Sequence, residues 1–353
     1  VTFYAGPAQG ALALVESPAQ LLNVIELGQH EDDLTGLRIA VLAPAAGLTR
    51  TQLRSMVALA RDAGHTVSWH EPRLGGLAVA RSVRALAGEL NGVRRLVVGD
   101  PYSGVIQVII SVTRPLSEVT IIDDGTATFE FARQWIAGEQ LSRWHRVATP
   151  SHRRQIAALA RDQVAGTVRR RLSSHTGCRL RLFTCMPLEV QGIRIIHNDF
   201  SWVRARHPAP QLKPGADLVG TSLVESGVVK ADSYLAGVET LITRYQVDRY
   251  FAHRKEADWK LDLIERMGIE VARSSLPLEI IARRGPIGRT IVSFPSTVVH
   301  TLPIVLAGSD AHVVVCEIAD GWYEPQTTLQ AEDFLGRVTT AARRNYGLAT
   351  VAC

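Results

Sequence analysis

Short runs of apolar and β-branched residues alternate with segments of helical spacing along the whole chain, and this alternation limits the fold more than any other feature. ALALVE (11–16), LRIAVLAP (37–44), HTVSWH (65–70), VRRLVVGD (93–100) and EVTIIDD (118–124) have the length and composition of buried strands. Between them lie AQLLNVIEL, TRTQLRSMVALARDAG (49–64), AVARSVRALAGEL (78–90) and PYSGVIQVIISVT (101–113), which read as helices. Ser17 and Pro18 supply an N-cap and a first-turn proline for the first helix, and Gly64 stops the second. Alternation of this kind predicts parallel sheets covered on both faces.

Residues 140–178 keep a helical pattern but are poor in strand signals. Strands return with LRLFTCM (180–186) and IRIIHNDF (193–200), followed by the proline-rich loop RHPAPQLKPG (206–215). Helix and strand then alternate again: ADSYLAGVETLITRYQ (231–246), DRYFAH (248–253), EADWKLDLIERMG, IEVAR (269–273) and PLEIIARRG (277–285). TIVSFPSTVVHTLPIVLAG (290–308) reads as a strand broken at Pro295, with a helix from Ser296. AHVVVCEI (311–318) is a strand, and TLQAEDFLGRVTTAARRNYG a closing amphipathic helix. A length of 353 residues suffices for two α/β cores. The expected architecture is two Rossmann-like domains, 1–175 and 176–330, with a cleft between them. A C-terminal helix in 331–353 is expected to pack back toward the first domain.

Composition narrows the class. With 46% hydrophobic and 21% charged residues the chain is globular rather than disordered. No apolar run approaches the ~18 residues of a membrane span. The opening VTFYAGPAQGALALVES lacks the basic n-region of a signal peptide. Cys178, Cys185, Cys316 and Cys353 form no CxxC pair and have no zinc-like His spacing, which fits a reducing cytoplasm. The net charge of +5 is carried almost wholly by arginine, and ten arginines against the single acid Asp162 fall between Gln140 and Phe183. That segment reads either as a solvated helix face or as a peripheral contact with an anionic membrane leaflet or acidic polymer. Trp144 and Phe183 are too few aromatics for base stacking, so nucleic acid is not the expected partner.

Few residues stand out chemically. Asp123 and Asp124 end a buried strand and are followed by Gly125, which permits a sharp turn. They read either as a plain strand-to-loop turn or as a carboxylate pair able to act as general base. His253 lies at the carboxyl end of DRYFAH, with Arg254, Lys255 and Glu256 as solvated neighbours on the plainer reading. Glu279 is a carboxylate flanked by apolar residues in LPLEII. Ser296 and Thr297 open a helix; they are N-caps or, with the free N–H groups there, a phosphate site.

Taken in order, Asp-Asp-Gly, then the histidine, then Glu279, then Ser-Thr, the set resembles the bacterial sialyltransferases. It is most similar to the lipooligosaccharide sialyltransferases and capsular polysialyltransferases, which carry D/E-D/E-G, HP and Ser/Thr motifs on a GT-B scaffold. ESPAQLLNVIE and TSLVESGVVKADSYLAGVETLI are also similar to segments of that family, so the resemblance spans nearly the whole chain. The family's His-Pro is here His253-Arg254. The resemblance implies an inverting, metal-independent glycosyltransferase. It would move sialic acid or a related nonulosonic acid (Neu5Ac, Kdn or similar) from its CMP-activated form to a hydroxyl of a cell-surface glycan. It implies one of Asp123 and Asp124 as base, with Gly125 as the motif turn, and His253 as donor to the departing CMP. It implies Glu279 on the ribose and Ser296 with Thr297 on the phosphate. No cofactor is implied beyond the CMP-sugar donor, and the acceptor is an oligo- or polysaccharide. The location implied is the cytoplasm or the inner face of the plasma membrane. The competing readings are a GT-B transferase using an NDP-hexose and a catalytically silent glycan- or nucleotide-binding protein of capsule assembly.

Overall fold

The structure, a computed structural model, describes residues 10–90, 92–125, 127–142 and 152–352. The chain divides into two compact units, Val1–Asn198 and Asp199–Cys353. The first contains β1 (Ala11–Val15), α1 (Pro18–His30), β2 (Arg38–Leu42), α2 (Leu48–Asp62), β3 (Thr66–His70), α3 (Gly76–Leu90) and β4 (Arg95–Val98). It continues with α4 (Gly104–Val112), β5 (Glu118–Ile122), α5 (Ala127–Ile136), α6 (His152–Leu172), β6 (Arg179–Thr184) and β7 (Arg194–His197). Its seven strands run in the order β3-β2-β1-β4-β5-β6-β7, and every pairing is parallel.

Local chemistry accounts for these elements. Both β1 (ALALV) and β5 (EVTII) are buried along their full length, as strands covered by helices on both faces must be. Helix α1 starts where the Ser17 side chain accepts from the Gln20 N–H at 3.2 Å, with Pro18 in the first turn. Helix α2 buries Gln52, Leu53, Met56, Val57 and Ala60, a stripe at helical spacing. The core joins Leu12 and Leu14 of β1, Leu96 and Val98 of β4 and Val119 and Ile121 of β5 to Leu86, Ile106, Ile109 and Phe131 of the helices.

The second unit contains α7 (Ser201–Arg206), β8 (Leu212–Val219), α8 (Ala231–Tyr245), β9 (Val247–Phe251), α9 (Asp258–Glu265) and β10 (Glu270–Ala272). It ends with α10 (Leu278–Arg284), β11 (Ile287–Ser293), α11 (Val298–Val305), β12 (His312–Glu317), α12 (Leu329–Tyr346) and β13 (Ala349–Ala352). Its six strands, again parallel, run β10-β9-β8-β11-β12-β13. Each sheet therefore has one point where strand order reverses, between β1 and β4 in the first and between β8 and β11 in the second. The crevice outside the carboxyl ends of such a pair is the ligand-binding position of open parallel sheets.

Two boundaries differ from the sequence expectation. The strand runs after residue 175 extend the first sheet, with Glu118 opposite Arg179 and Ile122 opposite Phe183, so the division falls after Asn198. The second unit does not stop at 330: α12 packs on α11, and β13 pairs with β12, Val314 opposite Ala349. Strand β8 also begins inside the segment expected to be a proline-rich loop. No helix among the described residues is long and apolar enough to cross a membrane.

The arginine-rich segment is only partly described. Arg143, Trp144 and Arg146 lie outside the described residues, as do the side chains of Arg153, Arg154 and Arg161. Of the remainder, Arg169 donates to the Trp135 carbonyl at 3.0 Å and stacks over the Trp135 ring, while Arg171 holds the carbonyls of Ile110 and Thr113. These guanidiniums cover the open carbonyls at the ends of α5 and α4 rather than facing solvent. Cys178 and Cys185 are buried and not disulfide-bonded, and Cys353 lies outside the described residues.

Candidate functional site

In the first unit, the two acids after β5 have different surroundings. Asp123 is 3% exposed; one carboxylate oxygen accepts from Thr128 Oγ1 at 2.7 Å and the other from the Cys185 N–H at 2.8 Å. Its own carbonyl accepts from Asn23 Nδ2 at 3.0 Å. Burial pushes the Asp123 carboxyl above the ordinary carboxylate range, and hydrogen bonds from Thr184, Thr128 and Cys185 pull the other way. Asp123 thus ties the end of β5 to β6 and to α5. Asp124 is half-exposed, and its Oδ1 accepts from Ser17 Oγ at 3.4 Å. Gly125 follows with φ of +69°, a conformation that a side chain would strain. The first acid is enclosed by hydrogen bonds, and the second is the one open to solvent.

Around Asp124, the carboxyl ends of β1 and β4 add groups that the sequence did not single out. Glu16 follows β1 and accepts from Ser103 Oγ at 2.8 Å and from Arg73 Nη2 at 2.9 Å. Burial pushes its carboxyl up and Asp100 adds to that, while Arg73 and the Ser103 hydroxyl oppose it. Ser17 serves two partners, accepting from the Gln20 N–H and donating to Asp124, so the start of α1 is bound to the β5 turn. A polar residue directly after a buried strand is the signal that marks Glu16 and Asp100, but the same signal marks ordinary turns.

In the second unit, His253 follows β9 and is half-buried. Its imidazole pKa falls to about 3, mainly through desolvation, with Arg254, Lys255 and Lys260 adding repulsion. The ring is therefore neutral near pH 7. Nδ1 accepts from the Lys255 N–H at 3.3 Å, which leaves the proton on Nε2. Such a histidine donates a hydrogen bond rather than a proton.

Of the neighbours expected to be solvated, Lys255 is exposed but Glu256 is not. Glu256 accepts from the His253 N–H at 2.5 Å through one oxygen and from Tyr250 Oη at 2.5 Å through the other. The Glu256 and Lys260 side chains are fully buried and pair at 2.9 Å. Lys260 also holds the Thr221 carbonyl at 2.9 Å and Glu225 at 3.0 Å, with its ammonium 4.5 Å from the Tyr234 ring centroid. Tyr234 and Tyr250 share a hydrogen bond of 2.8 Å, and a Cβ at Gly220 would stand 2.3 Å from Tyr250 Oη. This network fastens the loop carrying His253 to the Gly220–Thr221 turn at the carboxyl end of β8. Two charged residues spaced i,i+4 read from sequence as an exposed helix face; burial of both is a tertiary fact.

Ser296 and Thr297 lie half-buried between β11 and α11. The helix begins at Val298, with Thr297 already in helical conformation and making no side-chain cap hydrogen bond. Neither hydroxyl is therefore consumed as the expected cap; Ser296 Oγ stands 3.4 Å from Ser293 Oγ. Glu279, in the first turn of α10, is 9% exposed and accepts from Thr301 Oγ1 of α11 at 2.8 Å. The second sheet thus carries His253 and the Ser-Thr pair on one carboxyl edge, with β8 between their strands, while Glu279 is set by the α10–α11 contact. Asp123, Asp124 and Gly125 belong to the carboxyl edge of the first sheet. No group of three or more His, Cys, Asp or Glu residues arranged to hold a metal occurs among the described residues. No family model matches the chain, and no curated protein does.

Proposed function

We propose that this chain is an inverting glycosyltransferase of GT-B type that transfers a nonulosonic acid from CMP to a glycan hydroxyl. The observation that carries the reading is positional: the Asp-Asp-Gly, His and Ser-Thr motifs each follow the carboxyl end of a parallel strand, β5, β9 and β11. The first unit would bind the acceptor and the second the nucleotide.

The chemistry assigns separate duties. Asp124 takes the proton from the acceptor hydroxyl as that oxygen bonds to the anomeric carbon. The bond from the anomeric carbon to the phosphate oxygen breaks, and CMP leaves with the electron pair. Neutral His253 donates Nε2–H to the leaving phosphate, and the Ser296 and Thr297 hydroxyls donate beside it. Glu279, held through one oxygen by Thr301, offers the other to the ribose hydroxyls. Because the leaving group is a monophosphate, the step does not demand chelation by a divalent cation.

Incubation with CMP-Neu5Ac, CMP-Kdn and CMP-Kdo over a panel of glycan acceptors, read by mass spectrometry, tests this. Turnover that falls by about 10²–10⁴ in Asp124→Ala and by a similar factor in His253→Ala supports it. Turnover of a UDP- or GDP-hexose, with no CMP-sugar used or bound, overturns the donor assignment. One observation favours that rival: Arg254 stands where the family pattern has proline, and a cation beside the neutral His253 suits a diphosphate leaving group.

A further inference from the structure

Helix α3 packs Ala78, Ser82, Leu86 and Leu90 inward. Its opposite face carries Leu77, Ala80, Arg81, Arg84, Ala85 and Gly88, all exposed and none acidic. Leu77 is 83% exposed, and Leu74, just ahead of the helix, is 60% exposed. Between them Gly75, at φ of +120°, turns the chain so that the helix can start on its carbonyl, 3.0 Å from the Ala78 N–H. Two large apolar side chains are thus held out at the tip of a helix whose outer face continues as small residues and two guanidiniums.

Those guanidiniums are unbalanced. Neither Arg81 nor Arg84 pairs with a carboxylate among the described residues, and like charges at i,i+3 repel each other. The helix's own acid, Glu89, turns toward Arg38 at 3.8 Å. The other exposed apolar pair, Trp259 and Leu263 on α9, is bordered by Asp258, Asp262 and Glu265, three acids that outnumber the exposed Arg266 beside it.

We infer that the outer face of α3, with Leu74, is a docking surface for an anionic lipid bilayer. Leucines projecting from a helix tip enter the headgroup–acyl boundary, while arginines beside them meet lipid phosphates. Protruding leucines followed by alanine and glycine offer no recess to seat a protein partner, which is why lipid is the better fit. The contact would be reversible, since two leucines and two arginines are a small anchor. It is separate from the proposed transfer chemistry and uses none of its residues.

The test is co-sedimentation of the full chain with extruded vesicles of phosphatidylcholine alone or with one-third phosphatidylglycerol. Binding is expected to the phosphatidylglycerol vesicles, falling at least tenfold between 0.1 and 0.5 M NaCl, as charge contacts screened by salt require, ~10 Å Debye length at the lower figure. It should fall at least tenfold in Arg81→Glu/Arg84→Glu and in Leu74→Ser/Leu77→Ser, with unchanged circular dichroism because every substituted side chain is exposed. Three results overturn the inference: no binding to either vesicle; wild-type binding by both variants, which puts any lipid contact elsewhere; or loss in the arginine variant alone. The last would mean charge contact alone, with the leucines outside the bilayer.

Discussion

Asp123 and Asp124 stand side by side in the chain and do opposite work. Removing the Asp123 carboxylate strands the Thr128 hydroxyl and the Cys185 N–H in a buried site. Unsatisfied buried donors cost about 1–3 kcal/mol each, so Asp123→Ala should lower stability by about 3 kcal/mol in urea unfolding. Asp124→Ala should change stability by less than about 1 kcal/mol, since its carboxylate is half-exposed and its bond from Ser17 is long, while transfer activity collapses. A reversal of the two stability effects would show that the roles are exchanged. A second residue-scale expectation concerns His300, fully buried, edge-on to Tyr346, and lowered by burial to a pKa of about 4 against an ordinary 6.5. Between those values the unfolded chain binds a proton at this site and the folded chain does not. Stability should therefore rise with pH across that window and be indifferent to His300 above it. The full effect of that lowering is about 3 kcal/mol. Urea midpoints measured from pH 4 to 8 should show a steeper slope in wild type than in His300→Leu.

At the scale of elements, two helical glycines of the second unit carry opposite expectations. In α8, a Cβ on Gly237 would meet the Trp322 ring at 2.0 Å, closer than any real contact, and the ring is buried against Phe294 as well. In α12, a Cβ on Gly336 meets nothing. Alanine gains up to about 1 kcal/mol over glycine in a helix interior, so Gly336→Ala should stabilise by about that amount. Gly237→Ala should destabilise by about 1–3 kcal/mol, because overpacking outweighs the same propensity gain. Thermal or urea unfolding of the pair gives the signs directly. The same contrast explains what the sequence could and could not tell. Strands such as ALALV and EVTII were legible because burial on both faces writes a continuous apolar run. The short β13 and helices α5 and α7 were not read as elements, because a few residues of mixed pattern carry little periodic signal. Of the site, the positions of Asp123, Asp124, His253, Ser296 and Thr297 at strand ends were legible from local pattern. The division of labour between the two aspartates was not, nor was the burial of Glu256 and Lys260, since both depend on partners distant in sequence.

For the whole molecule, the deciding matter is where one cooperative core stops and the next begins. The apolar cluster of the first unit draws Leu180, Leu182, Val190 and Ile193 into contact with β5 and its helices. Among the described residues, the clusters of the second unit are built from residues after Asn198, and they include Val351 from the last strand. A cut after residue 175 would leave β5 as a sheet edge with Val119 and Ile121 uncovered and Asp123 deprived of the Cys185 N–H. An uncovered apolar edge of that kind pairs with other chains. A cut after Asn198 opens no strand pairing, because β7 is already the edge of its sheet. The fragment 1–198 should therefore be soluble and unfold in one cooperative urea transition, whereas 1–175 should aggregate on expression. Likewise 199–353 should fold, and 176–330 should not, since it carries two orphaned strands and lacks α12 and β13. Light scattering and far-ultraviolet circular dichroism of the four fragments decide it: a folded, monomeric 1–175 would mean that β6 and β7 are an appendage rather than part of the first core.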